Sequence, residues 1–214
     1  MLSQPKKTNE KTIFPNIVLA STSPFRKQLL KKLHLTFEQI APNIDESPLK
    51  NESPKAMVAR LSNNKAQETS QRFPASIIIA SDQCAVFQNT PIGKPHTMQN
   101  AIKQLQQFSQ ETITFYTSLT VINTATQQKF ERMDTTQVHF RALSQEVIEN
   151  YLDIEQPLTC AGSFKSEGLG ITLFKKITSK DPNALIGLPL IDLTDIFYQM
   201  GYSLPLKNTP PLST

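Results

Sequence analysis

The sequence predicts an α/β protein with a mixed central β-sheet flanked by helices, and three observations lead there. The run Ile77-Ile78-Ile79-Ala80 is almost wholly apolar and bounded by loop residues, the pattern of a strand buried on both faces. Ser23-Pro24 and Ser53-Pro54 each set an N-cap hydroxyl before a proline at a first helical position, twice marking a helix start. Strands and helices then mix without strict βαβ alternation, which favours a mixed sheet over a regular barrel. At 214 residues the chain suits one such domain, or two lobes sharing a sheet.

The elements follow in order. Residues 1–15 are polar and lysine-bearing, and residues 205–214 are rich in Pro, Ser and Thr. Both read as flexible tails around a single folded unit at 16–204. Ile17-Val18-Leu19-Ala20 is a short buried strand, and the helix capped by Ser23 runs to about His34 with Leu29, Leu30 and Leu33 inward. The helix capped by Ser53 carries a stripe of Met57, Val58 and Leu61 that Lys65 continues. The strand at Ile77–Ala80 ends on Ser81-Asp82-Gln83, Cys84 to Phe87 is extended, and Gln88-Asn89-Thr90 turns. Thr97 opens a helix with Ala101, Leu105 and Phe108. Two β-rich stretches, 112–123 and 129–141, precede a helix over Ser144–Leu152, a Gly-rich loop at 162–170, a strand at 171–174 and a last helix at about 190–200.

A formal charge of +4 fits a basic cleft for a polyanion but is also common in ordinary soluble proteins. No block of five like charges and no interleaving of aromatics with Arg and Lys supports nucleic-acid binding. Cys84 and Cys160 are isolated and form no CxxC pair, so free buried thiols in a reducing compartment are expected. The N-terminal segment lacks an apolar signal core, and no apolar run approaches the roughly 20 residues of a spanning helix. A cytoplasmic protein with no membrane partner is the resulting expectation. GxxxxGK[ST], HExxH and GxSxG are absent, and the three histidines stand in unrelated contexts.

Several segments can carry chemistry, each with a plainer reading beside it. LASTSPFRKQLL sets Ser21, Thr22, Ser23, Arg26 and Lys27 at a strand-to-helix corner, an anion site or an ordinary capped helix. Asp82 directly follows a buried strand, where open α/β sheets place ligands, although a turn aspartate looks the same. Asp45 and Glu46 are an acidic pair in a polar loop, suited to Mg²⁺ or merely to solvent. Lys65 either reaches an anionic ligand or snorkels over its helix's apolar face. Gly93-Lys94-Pro95 holds a lysine rigidly or simply turns the chain. CAGSFKSEGLG offers Lys165 and Glu167 in a flexible loop, with Glu167 able to accept from a base's N–H groups.

In chain order, over nearly all of residues 17–200, these segments resemble the Maf family of nucleotide pyrophosphatases. The family's LASxSPRRxxLL is matched by LASTSPFRKQLL, its acidic loop by Ile44-Asp45-Glu46, its helix lysine by Asn64-Lys65-Ala66, its SDQ by Ser81-Asp82-Gln83 and its GKP by Gly93-Lys94-Pro95. One departure is informative: Phe25 replaces the first arginine of SPRR, and the later segments are CAGSFKSEGLGITLF and DPNALIGLPLI. That pattern is similar to the branch acting on 7-methyl-GTP, where an aromatic residue occupies that position, and an aromatic face suits a positively charged methylated guanine.

The resemblance implies a two-lobed fold with a cleft and hydrolysis of a nucleoside triphosphate to the monophosphate and pyrophosphate. Asp82 is implied as proton acceptor, and Glu46 with Asp82 as ligands of a divalent cation, Mg²⁺ or Mn²⁺. Ser23, Arg26, Lys65 and Lys94 are implied to bind phosphates, and Phe25, Gln83 and Glu167 to set base specificity. Two rivals stay open: the same fold acting on dTTP and UTP, and a nucleotide-binding regulator of cell division with little turnover. A homodimer is a common outcome for soluble enzymes, and the sequence does not decide it.

Overall fold

The computed structural model describes residues 15–206, so the tails expected at 1–15 and 205–214 lie almost entirely outside the described residues. Leu204 and Leu206, at the end of the described chain, pack against the core. The described residues form seven strands in one sheet and five α-helices. In chain order these are β1 (Asn16–Ala20), α1 (Pro24–Lys31), β2 (Glu38–Ile40), α2 (Pro54–Ser70), β3 (Ser76–Phe87) and β4 (Thr90–Ile92). Then come α3 (Met98–Phe108), β5 (Thr112–Asn123), β6 (Gln128–Phe140), α4 (Gln145–Glu155), β7 (Phe174–Thr178) and α5 (Leu190–Gln199). Short 3₁₀ turns occupy Ala161–Ser163, Leu169–Leu173 and Ala184–Ile186.

The sheet order is β2-β1-β3-β5-β6-β7, with β4 added to β3. β1 is parallel to β2 and to β3, and the remaining pairs are antiparallel. This is the mixed sheet that the irregular alternation of elements predicts.

The helix starts are as expected: Ser23 and Ser53 accept hydrogen bonds from the backbone N–H of Arg26 and Ala56, and Thr97 and Ser144 cap α3 and α4 in the same way. Three features differ. First, β3 does not end at Ser81-Asp82-Gln83; it runs on to Phe87, with Asp82 paired to Ser118 in the interior of the ladder. The polar triplet reads as a turn in sequence, yet its backbone is held on both sides of that point by β5. Second, α1 stops at Lys31, because the chain turns back at His34, whose φ is 53°. Third, the strand expected at 171–174 lies at Phe174–Thr178. Ile171 belongs to a 3₁₀ turn and is exposed, while Leu173 and Phe174 are buried.

Alternation along β3 positions the site. On one face, Ile77 and Ile79 join a cluster built from β1, α1 and α5, while Ala85 joins a second cluster built from α3, α4, β5 and β6. Ser81 and Gln83 fall between them. On the other face, Ile78 and Ala80 pack with Val18, Ala20 and Ala66, and Cys84 and Val86 pack with Val58. Asp82 falls between those. The polar triplet is therefore a seam that interrupts the apolar packing on both faces at one level, and the two large clusters are the two lobes.

α2 is fastened over this seam. Ser62 Oγ lies 2.6 Å from Ser118 Oγ and 2.9 Å from Thr120 Oγ1, satisfying buried hydroxyls on β5. Val58, Leu61, Lys65, Ala66 and Thr69 face inward with it. Away from the seam, Phe108 is fully buried against Phe87 and Phe140, with ring centroids 5.6 and 5.5 Å away. Phe108→Ala is expected to destabilise the domain by about 3–5 kcal/mol, read as a lower urea midpoint with little change in slope.

Candidate active site

The end of β1 and the start of α1 build one wall. Ser21 is buried, its Oγ accepting from Ser23 N–H at 3.2 Å. The cap at Ser23 orients the first turn of α1, so that Phe25 and Arg26 project from it. Arg26 Nε donates to Gly187 O at 2.9 Å and Nη1 approaches Ser21 Oγ at 3.4 Å. Its guanidinium is thus tethered. Burial lowers the Arg26 pKa, while the nearby negative charges of Asp82 and Glu46 act in the opposite sense.

Opposite stands α2. Lys65 is 5% exposed, and its ammonium is 2.6 Å from Asp82 Oδ1 and 3.2 Å from Glu46 Oε1. Asp82 itself is 8% exposed. Lys65 does not snorkel; it points to the seam and joins two carboxylates from distant parts of the chain. The Glu46 side chain is 58% exposed, so this second arm sits at the mouth. Its loop is anchored by Arg60, which binds Glu52 at 2.6 and 2.7 Å and the Ser47 carbonyl at 3.1 Å. Asp45 is turned to its own loop, accepting from Ser47 N–H at 2.9 Å; the Ser47 side chain first, and then that N–H, hold its pKa below the ordinary aspartate range.

The third wall is the 184–187 turn, read through its carbonyls. Ser81 Oγ donates to Gly187 O at 2.8 Å. Gln83 Nε2 donates to Ala184 O, Leu185 O and Thr117 Oγ1 at 2.9, 3.0 and 3.0 Å, and Thr117 Oγ1 donates to Ala184 O at 3.0 Å. The amide nitrogen of Gln83 is therefore committed to the protein. Thr117 and these carbonyls are not legible in the sequence, since any residue supplies a carbonyl and one threonine among many carries no signature.

The fourth wall is the segment 159–167. Glu167 is exposed, and Cys160 is half-buried beside it rather than fully buried as expected. The other free thiol, Cys84, is buried next to Asp82; desolvation, reinforced by that carboxylate, pushes its pKa up to about 11. Lys165 is directed away, its ammonium donating to Glu155 O at 3.0 Å and lying 3.1 Å from Glu155 Oε1. The glycine-bearing loop is thus anchored, not loose as its composition suggests.

These walls enclose a cavity of about 770 Å³, within the range of small-molecule sites. Ser23, Phe25, Arg26, Glu46, Lys65, Asp82, Gln83, Lys94 and Glu167 all line it. The residues that the family resemblance implies as site residues thus share one cavity, whereas Asp45, Lys27 and Lys165 do not line it. The placement expected for Asp82 needs amendment, since it is not the end of β3 that opens the site. β1 pairs with β3 only as far as Leu19 opposite Ile79, and the chain then departs into α1, uncovering Asp82 in mid-strand. The carboxyl end of β1 serves that purpose.

Among the described residues no group of three or more His, Cys, Asp or Glu is placed to hold a metal by itself. Asp82 and Glu46 offer two hard oxygen donors around one cation, which suits an ion completing its shell with phosphate oxygens and water. Among the described residues, too, no helix is long and apolar enough to cross a membrane.

Fold and site together define a class: an α/β protein with a polar cavity whose cations and paired carboxylates match a phosphate-bearing small molecule. Residues 16–200 match the model of the Maf-like protein family. A 7-methyl-GTP pyrophosphatase of Hydrogenovibrio crunogenus is 56% identical, with 92% of this chain and 98% of that protein covered. Proteins of the same name from Vibrio vulnificus and Colwellia psychrerythraea are 54% and 52% identical, each over 86% of this chain and over 95% and 92% of their own lengths. The chain belongs to the Maf family.

The buried ion pair makes one stability prediction. Lys65→Met leaves the Asp82 carboxylate desolvated and uncompensated, and is expected to cost about 3–5 kcal/mol by urea denaturation. Adding Asp82→Asn is expected to recover a large part of that loss, because the stranded charge is gone.

Proposed function

We propose that this chain is a nucleoside triphosphate pyrophosphatase that converts 7-methyl-GTP and water to 7-methyl-GMP and pyrophosphate. The observation that carries this reading is the convergence of Asp82, Lys65 and Glu46 in a cavity that Phe25 and Glu167 also line. The names of its relatives support the substrate. A cytoplasmic location fits such a nucleotide.

The triphosphate lies along the α1 corner, where free N–H groups and the helix dipole favour anions. Arg26, held by Gly187 and Ser21, meets phosphate oxygens with little loss of conformational freedom on binding. Lys94, which also lines the cavity, adds another cation. Asp82 takes the proton of the attacking water on Oδ2, because Oδ1 is engaged by Lys65. The new bond forms between the water oxygen and the α-phosphorus, the bond from that phosphorus to the bridging oxygen breaks, and pyrophosphate leaves. Lys65 orients the Asp82 carboxylate and stands close to where negative charge gathers. Mg²⁺ or Mn²⁺, held by Glu46, Asp82 and the phosphates, would neutralise the leaving pyrophosphate.

Phe25, Gln83 and Glu167 read the base. A 7-methylguanine ring is cationic, so the face of Phe25 and the carboxylate of Glu167 both attract it more than they attract guanine. Gln83 Nε2 is tied to Ala184, Leu185 and Thr117, so the group offered to the base is its carbonyl oxygen, an acceptor for a guanine N–H.

Two outcomes are expected. With Mg²⁺ or Mn²⁺ and a panel of ordinary and modified triphosphates, pyrophosphate release is fastest from 7-methyl-GTP, and Asp82→Asn lowers it at least about 100-fold while the protein stays folded. Near-normal release by that variant overturns the assignment of Asp82. Phe25→Arg is expected to reduce the ratio of kcat/KM for 7-methyl-GTP over GTP by about tenfold, since a cation replaces a π-face beside a cationic base. An unchanged ratio removes Phe25 from base selection.

A further inference from the structure

The Glu167 carboxylate at the cavity wall stands on a turn that another carboxylate, outside the cavity, holds together. Gly168 N–H donates to Lys165 O at 3.3 Å, closing a four-residue turn with Ser166 and Glu167 at its centre. Both flanks of this turn are fastened to Glu155, the last residue of α4. Glu155 Oε2 accepts from Leu169 N–H at 2.8 Å, and Oε1 lies 3.1 Å from Lys165 Nζ. The same ammonium donates to Glu155 O at 3.0 Å, and Lys165 N–H donates to Tyr151 Oη at 3.1 Å. Two positions of one helix therefore grip the chain on either side of Glu167.

The glycines fit this grip. A Cβ at Gly168 would stand 2.7 Å from Glu155 Oε2, and one at Gly170 would stand 2.3 Å from Lys165 O. A side chain at Gly168 would displace the Glu155 carboxylate from the turn, and one at Gly170 would collide with the turn's own backbone. A glutamate closing a helix is also of the wrong sign for the helix dipole, so helix stability alone does not account for it. Lys165 offsets that charge and satisfies a terminal carbonyl. Glu155 does not line the cavity, whereas Glu167 does.

We propose that Glu155 is a positioning residue for base selectivity, clasping the 165–169 turn through Lys165 and Leu169 so that the Glu167 carboxylate is held at the cavity wall. This rests on the reading of the cavity as a 7-methyl-GTP site with Glu167 at the base. A loose turn would still let Glu167 reach the ligand, but the cost of ordering it would fall on binding of the methylated base.

The test is a double-mutant cycle in the full-length protein: wild type, Glu155→Ala, Glu167→Ala and the double variant, each assayed on 7-methyl-GTP and on GTP. Glu155→Ala is expected to lower the ratio of kcat/KM values about tenfold, through KM for 7-methyl-GTP, with kcat on GTP within about twofold of wild type. The double variant is expected to match Glu167→Ala, because one effect acts through the other. Glu155→Gln, which keeps an acceptor for Leu169 N–H, is expected to retain most of the ratio. An unchanged ratio in Glu155→Ala, or losses that multiply in the double variant, overturns the proposal. If Glu155→Ala does not fold, Lys165→Met releases the other arm of the clasp and is expected to lower the ratio in the same way; an unchanged ratio there overturns the proposal equally. If wild type shows no preference for 7-methyl-GTP, the substrate reading fails, and hydrogen exchange then decides on the clasp. Protection of the Lys165, Gly168 and Leu169 amides is expected to drop about tenfold or more on loss of Glu155, and unchanged protection overturns the clasp.

Discussion

A lysine ammonium and an aspartate carboxylate, both removed from water and 2.6 Å apart, hold this structure's functional end together. Taking two charges out of water costs several kcal/mol for each, and an apolar pair of the same volume would serve stability at least as well. The pair makes sense as chemistry. Lys65 fixes Asp82 in one orientation and draws in Glu46 from a loop with no secondary structure of its own. Remove the ammonium and Asp82 loses its ion pair while Glu46 loses its contact with the seam.

The sheet makes room for that pair. β3 contributes its apolar residues on either side of Ser81, Asp82 and Gln83, so both faces of the sheet lose apolar packing at one level. Each gap is filled by polar partners from afar: α2 brings Lys65 to Asp82, and the 184–187 turn brings its carbonyls to Ser81, Gln83 and Arg26. The parallel partner β1 ends just short of this level, and its departure into α1 opens the cavity. Lobes, cleft and charge therefore share one origin, three polar residues within a strand.

The parts legible in the sequence were those fixed by local chemistry. Ser23-Pro24 and Ser53-Pro54 announce their helices because a cap hydroxyl and a proline act within one turn. Ile77–Ala80 announces a strand because burial on both faces leaves no polar position. The continuation of β3 through Ser81-Asp82-Gln83 was not legible, since polar residues inside a ladder look like a turn until their partners on β5 and α2 are known. β2 and β4, at three residues each, are too short for alternation to register. Convergence of Glu46, Lys65 and Asp82 follows from tertiary structure, and only the ordered family motifs hinted at it. Glu155 escaped notice because a glutamate at a helix end has no signature until Lys165 and Leu169 fold onto it.

The central claim is that water, activated at Asp82, attacks the α-phosphorus of a bound triphosphate. Turnover of 7-methyl-GTP in ¹⁸O-enriched water, with mass analysis of both products, tests it most directly. The account predicts one ¹⁸O atom in the monophosphate and none in the pyrophosphate. Label in pyrophosphate, or release of inorganic phosphate with a nucleoside diphosphate, would contradict it.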